Sequence, residues 1–259
     1  MARKPKVIAI ANQKGGIGKT TTATSIAAIL NKWGHKTLLI DTDVQCNCTD
    51  TLQAQTDNVA TLYDLIIDDE PCALEEAIQH TQYGDIIAAD PGLEEAEIKL
   101  QSEDAFFKLK DAIDGLKGYE YVVIDTNPSV NCMLYNALVA ANEIIIPMSA
   151  DRYPMKGLAQ LTNTITKVQG SLNPGLKIKG LLLSRFNERA NLNKDTKEAL
   201  ENVAAQVGTK VFKTYIRESI KVRESQTERM PLAYYAPRCT AQKDYEELVK
   251  EMGIKNKNS

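Results

Sequence analysis

This chain of 259 residues has no apolar run long enough to cross a bilayer. No secretory leader is expected. Met1 to Lys6 is basic, but the apolar run Val7 to Ala11 is too short and no cleavage site follows. Cysteine is sparse, odd in number at five, and scattered, which excludes a disulfide framework and fits a reducing cytosol. Cys46 and Cys48 form a C-x-C pair, but no further ligand stands at standard metal-site spacing. No cysteine lies between Cys72 and Cys132, so Cys132 has no partner at moderate upstream distance with which to hold an iron–sulfur cluster. Only two histidines occur, His35 and His80, and both fall near helix ends, as caps or surface residues. No aromatic-rich base-stacking platform is visible, which argues against single-strand nucleic-acid recognition. A formal charge of −3 leaves no protein-wide basic field. Between Lys177 and Arg229, however, about twelve lysines and arginines stand against about seven acids. That excess fits either a basic binding face or an ordinary solvated one.

What is present begins at the N-terminus. The apolar run Val7-Ile8-Ala9-Ile10-Ala11 leads into Gln13-Lys14-Gly15-Gly16-Ile17-Gly18-Lys19-Thr20. Strand, glycine-rich turn and Lys-Thr helix start together form a phosphate cradle. Glycine removes the Cβ that would block the approach of backbone N–H groups to phosphate oxygens, and the helix adds its positive end. Lys19 is placed to reach the β- and γ-phosphates, and the Thr20 hydroxyl to ligate magnesium. Gln13 replaces the first glycine of the ordinary P-loop pattern, and Lys14 adds a second lysine. The helix is predicted over Thr20–Trp33, stopping at Gly34.

Further apolar runs at 37–40, 86–89, 121–124, 144–147, 178–183 and 210–213 read as strands. They alternate with helical periods at 61–67, 73–80, 93–116, 133–141, 156–169, 193–207 and 241–252. Near-continuous apolar strands between helices predict an α/β, doubly wound, mostly parallel sheet flanked by helices. Ligands of such sheets sit at the carboxyl ends of the strands. There the sequence has Asp41-Thr42-Asp43, Asp125-Thr126-Asn127-Pro128 and Ser184-Arg185-Phe186-Asn187. Asp125 is the candidate magnesium carboxylate and Asp43 the residue that orients an attacking water. Turn or cap aspartates are the plainer reading of Asp41 and Asp43.

KGGIGKTT, IDTDVQCNCT, YEYVVIDTNPS and IIIPMSADRYPMKGLAQL resemble the ParA/Soj group of the ParA–MinD ATPases over nearly the whole chain. The resemblance implies a P-loop NTPase fold of the deviant Walker A type and one ParA-like ATPase domain over 1–259. No N-terminal helix-turn-helix domain is expected, and the tail from about 254 to 259 is expected to fray. It implies a slow, partner- and DNA-stimulated ATP hydrolase using ATP and Mg2+. Lys14 matches the signature lysine that reaches across to a partner's phosphates, and with Lys19 and Asp43 it makes up the catalytic set. Gly15, Gly16, Ile17, Gly18, Thr20, Thr21, Asn187, Arg217 and Ser219 join the two lysines at the nucleotide. Thr20 is the implied metal ligand, with Asp125 and Asp43 acting through water.

The chain departs from the family pattern at Val44, Cys46 and Asn127, and at Arg217 and Ser219, where the family has adenine-contacting residues. Arg189 matches a DNA-contacting arginine. Glu218 stands where a second one is expected, leaving Lys194, Lys221 and Arg223 as further DNA candidates. The implied partners are a second copy joined on ATP binding, non-specific double-stranded DNA and a ParB-like stimulating protein, without a membrane. The implied setting is the bacterial cytoplasm, at the nucleoid, in segregation of a plasmid, chromosome or mobile element. Three rivals remain: a MinD-like membrane-positioning ATPase, a P-loop metabolic enzyme acting on a small substrate, and a scaffold that binds nucleotide without hydrolysis. The acidic segment Tyr245–Met252 does not suit an anionic bilayer.

Overall fold

The computed structural model describes residues 4–100, 102–149, 154–186 and 191–259. Eight strands, β1 (Lys6–Ile10), β2 (Thr37–Asp41), β3 (Ile78–Thr81), β4 (Gly84–Ile87), β5 (Tyr121–Asp125), β6 (Glu143–Ser149), β7 (Lys177–Phe186) and β8 (Ile216–Arg217), form one sheet. Their order is β3-β4-β2-β5-β1-β6-β7-β8. Neighbours run parallel except β3 and β4, which make an antiparallel hairpin. The α/β expectation therefore holds. In β1, Val7 and Ala9 face one apolar core while Ile8 and Ile10 face the other. Helices cover both faces, which is why the central strands read as unbroken apolar runs.

The helices are α1 (Lys19–Lys32), α2 (Asn47–Thr51), α3 (Leu62–Ile66), α4 (Leu74–Ala77), α5 (Ala96–Lys99), α6 (Lys108–Asp114), α7 (Cys132–Ala140), α8 (Pro154–Lys167), α9 (Asn191–Gln206), α10 (Ile220–Thr227), α11 (Leu232–Tyr235) and α12 (Thr240–Glu251). The long helix expected over 93–116 is instead broken into short turns, with α5 and α6 separated by a 3-10 segment, Glu103–Phe107. The side-chain amide of buried Asn136 on α7 causes part of this. It accepts from the Leu109 N–H and donates to the Ala105 carbonyl, replacing bonds a continuous helix would make itself. The helix expected over 73–80 stops at Ala77. The chain turns into β3 because His80 and Thr81 pair with Asp85 and Gly84 across the hairpin.

The C-terminal end also differs from expectation. The tail is pinned to the body, not frayed. Ile254 is buried, the Lys257 N–H donates to the Trp33 carbonyl, and Asn258 Nδ2 donates to the Lys32 carbonyl. His35 is buried, not a surface cap. Its Nε2 lies 2.8 Å from the Lys255 carbonyl and its Nδ1 3.2 Å from Glu120. The tail thus docks at the far end of α1 from the cradle. The amphipathic α12 spends its apolar face on the core through Ala241, Tyr245, Leu248 and Val249. Among the described residues no helix is long and apolar enough to cross a membrane.

The strand expected at 210–213 is reduced to a bridge between Leu181 and Val211. Phe212, 1% exposed, lays its ring over Gly180, where a Cβ would stand 2.7 Å from a ring carbon. Both partners are walled in, so neither has room to retreat. Gly180→Ala is expected to cost about 1–3 kcal/mol by overpacking. Urea unfolding would show this as a lower midpoint at unchanged m-value. An unchanged midpoint would mean that the Phe212 ring is free to move.

Candidate functional site

The cradle is built where β1 ends in the middle of the sheet. Gly16 and Gly18 have φ of 73° and 91°, conformations that a side chain would strain. Gly18 caps α1. The loop is fixed from several sides. Asn12 Nδ2 donates to the Pro147 carbonyl (2.7 Å), its Oδ1 accepts the Lys14 N–H (3.0 Å), and Ser184 Oγ donates to the Ile17 carbonyl (2.7 Å). Exposed Lys14 reaches Ser149 Oγ at 3.3 Å. Lys19 is buried, and its Nζ lies 3.4 Å from the Lys14 carbonyl. Burial lowers the Lys19 pKa, and the attraction of Asp125 and Asp43 works against that shift.

Strand register brings the acids together. Asp41 on β2 stands beside Asp125 on β5, and β5 lies next to β1. Both carboxylates are fully buried. Desolvation first, and for Asp125 the neighbouring Asp41 charge second, raise their pKa values to about 7 for Asp125 and about 6 for Asp41. Asp125 Oδ2 accepts from Thr20 Oγ1 (2.7 Å) and from the Cys48 thiol (3.3 Å), while its buried Oδ1 has no partner. Asp41 accepts from the N–H groups of Asp43 and Thr49 and from the Thr49 hydroxyl. Asp41 and Asp43 do not point together into the site. The chain turns after β2, so Asp41 faces inward while Asp43 borders the cavity and its Oδ1 accepts the Gln45 N–H.

That cavity holds about 530 Å3 and is lined by the whole cradle from Gly15 to Thr21, by Asp43 and Ser184, and by the segment Ile216–Ser219. The structure therefore gathers Gly15, Gly16, Ile17, Gly18, Lys19, Thr20, Thr21, Asp43, Arg217 and Ser219 on one space. Asp125 lies beneath it through Thr20, and Lys14 sits at the loop's outer side. The cavity volume suits a nucleotide-sized molecule. Arg217 is clamped by Asp244 through its Nε and a terminal guanidinium nitrogen, so it is oriented before anything enters.

The DNA candidates divide. Arg189 lies outside the described residues, as does Asn187, and of Lys194 only the backbone is described. Lys221 pairs with Glu224 at 2.7 Å, and Arg223 lies 3.6 Å from Glu218 on the cavity rim. Sequence reasoning missed Cys48, Thr49, Gln226 and Tyr245. Gln226 Nε2 donates to Thr21 Oγ1, and the Tyr245 hydroxyl meets Thr22 on α1. All four lie on helices, away from the residues that directly follow a strand.

An AAA domain family model matches residues 5–178. The chain is 36% identical over 253 residues to the chromosome partitioning protein ParA of Caulobacter vibrioides, covering 95% of this chain and 93% of that protein. It is 36% identical over 250 residues to the sporulation initiation inhibitor protein Soj of Bacillus subtilis, covering 95% and 98%. Among solved structures, cobyrinic acid a,c-diamide synthase from Mycobacterium smegmatis with bound ATP analogue and magnesium superposes with a TM-score of 0.82. It shares 28% identity, over 95% of this chain and 93% of that one.

Asp41 and Asp125 hold protons more tightly folded than unfolded. Their contribution to stability is therefore present below the ordinary carboxylate range and is lost as pH rises through about 6 and about 7. Calorimetry of nucleotide- and magnesium-free protein should show Tm falling across that window. In Asp125→Asn the fall should be shallower and the protein should melt higher above it. An unchanged slope in the variant would assign the pH dependence elsewhere.

Proposed function

The chain belongs to the ParA/Soj family of partition ATPases, and on that premise we propose that it is an ATP-driven dimerising switch. In its ATP-bound state it binds double-stranded DNA without sequence preference, and hydrolysis releases it. The observation that carries the reading is the convergence of cradle, Asp43 and the Thr20–Asp125 pair on one nucleotide-sized cavity.

The cradle N–H groups and Lys19 would take the phosphates. The residues also fit magnesium. Thr20 offers a hydroxyl, and the orphaned Asp125 Oδ1 is a buried acceptor that calls for a cation or its water. Magnesium would neutralise phosphate charge, and Thr20 would hold it directly, with Asp125 and Asp43 through water. Asp43, at the cavity wall, orients the attacking water. Arg217 and Ser219 present the wall for the base. Lys14, exposed beside the cradle, would complete the site of a second copy, so dimer stability follows the γ-phosphate.

For DNA, the cationic stretch supplies phosphate neutralisation, with Arg189 first among Lys194, Lys221 and Arg223. A ParB-like protein would stimulate turnover, and the setting would be the nucleoid. On this reading residues 1–259 make one ParA-like ATPase domain, with the nucleotide and DNA residues on the same unit. The diamide synthase likeness favours a second reading, small-molecule synthesis on the same fold, which predicts no nucleotide-dependent DNA binding.

Co-sedimentation with DNA, run with ATP and with ADP beside phosphate release, separates the two. Wild type should be retained with ATP only. Asp43→Ala should keep ATP-dependent retention while turnover falls on the order of 100-fold or more. Equal retention with both nucleotides would sink the switch. Lys14→Ala should elute as a monomer with ATP in size-exclusion chromatography while still binding nucleotide, and an intact dimer would remove the cross-subunit role.

A further inference from the structure

The C-x-C pair has no role in the nucleotide reading, yet its second cysteine lies at the base of the site. Cys46 is only half-buried; it caps α2, and its thiol donates to the Val44 carbonyl. Cys48, one helical step inside α2, is fully buried and turned onto Asp125. The two cysteines therefore do not act as a pair. Ligand atoms of Cys48, Asp41 and Asp125 lie within 4.8 Å of one another. We propose that Cys48, Asp41 and Asp125 form a site for a soft or borderline divalent cation, zinc(II) or cadmium(II), in the nucleotide-free protein.

Four observations carry this. First, the Cys48 Sγ to Asp125 Oδ2 separation is 3.3 Å. In a tetrahedral zinc site with Zn–S of about 2.3 Å and Zn–O of about 2.0 Å, the sulfur–oxygen edge is roughly 3.5 Å. The thiol and carboxylate already stand nearly one ligand edge apart. Second, Asp125 Oδ1 is buried without a hydrogen-bond partner, so the carboxylate keeps unspent acceptor capacity. Third, Asp41 is oriented from behind by the Thr49 N–H and hydroxyl at 2.9 Å each and by the Asp43 N–H at 3.1 Å. Its Oδ1 accepts only one of these bonds. Such outer partners fix a ligating carboxylate in place. Fourth, Thr20, hydrogen-bonded to Asp125 Oδ2 at 2.7 Å, also lines the cavity, so the fourth position opens toward solvent and can be filled by water.

On binding, the Cys48 S–H bond breaks, any proton held by Asp41 or Asp125 is displaced as well, and metal–sulfur and metal–oxygen bonds form, with no change of oxidation state. The proton leaves through the cavity, which Thr20 and Asn47 border next to the site. A thiolate ligand selects zinc or cadmium over magnesium, which demands oxygen ligands in near-octahedral array. The C-x-C spacing conceals the site because the ligands come from two neighbouring strands and a short helix.

The test titrates cadmium chloride into nucleotide- and magnesium-free protein and follows the ultraviolet thiolate-to-cadmium charge-transfer band. Wild type should saturate at one equivalent. Cys46→Ser should behave as wild type, and Cys48→Ser should lose the band. Cadmium anomalous diffraction from wild-type crystals, which needs no variant, should place the ion between Cys48, Asp41 and Asp125. The proposal fails if wild type shows no band, if Cys48→Ser retains it, if Cys46→Ser also loses it, or if the anomalous peak lies elsewhere.

Discussion

Two carboxylates held side by side at full burial set the terms for the rest of the site. Parallel pairing of β2 with β5 places Asp41 next to Asp125 at full burial. Neither acid can leave, because each terminates a strand buried in the sheet. The surroundings answer the repulsion with donors: Thr20 and Cys48 for one acid, Thr49 and the Asp43 N–H for the other. Lys19 brings a positive charge into the same space at the cost of its own hydration. The cradle and the acids are thus one electrostatic unit, and a polyphosphate with a divalent cation is the kind of ligand that completes its charge balance.

That unit also orders the protein around it. Ser184 on β7 and Asn12 at the end of β1 fasten the cradle to the sheet. Tyr245 on α12 meets α1 from the other side through Thr22. Helix α1 is therefore gripped along its length, and the tail's contacts with Lys32, Trp33 and His35 close its far end. A loop that must present N–H groups to a charged ligand gains from such fixation, since little reorganises on binding.

The central strands and the cradle were legible because each residue there obeys one dominant demand, either full burial or close backbone approach. Val7–Ala11 and Tyr121–Ile124 read as strands on hydrophobicity alone, and Gly16 and Gly18 announced a turn. Asp43 and Asp125 stand out by their positions at or just past strand ends. What stayed hidden depended on partners distant in sequence. Asn136 breaks a helix it does not belong to, Cys48 reaches an acid 77 residues away, and β8 has two residues, too few for any periodicity. The pinned tail has a polar sequence and is held largely by hydrogen bonds to the end of α1, which leave no hydrophobic pattern.

The position of β8 has a consequence of its own. The glycine-loop end of the cavity is set into the middle of the sheet, between strands that are each paired on both sides. The opposite end hangs on a two-residue strand at the sheet's edge and on the turn that follows it. A substitution in the centre must satisfy two cores and a buried pair of acids. One at exposed Glu218 need satisfy only a rim open to solvent, whereas Arg217 is tied to Asp244 and Ser219 to the start of α10. The cavity's two ends therefore differ in evolvability: one end is free to acquire new selectivity while the other must be inherited intact.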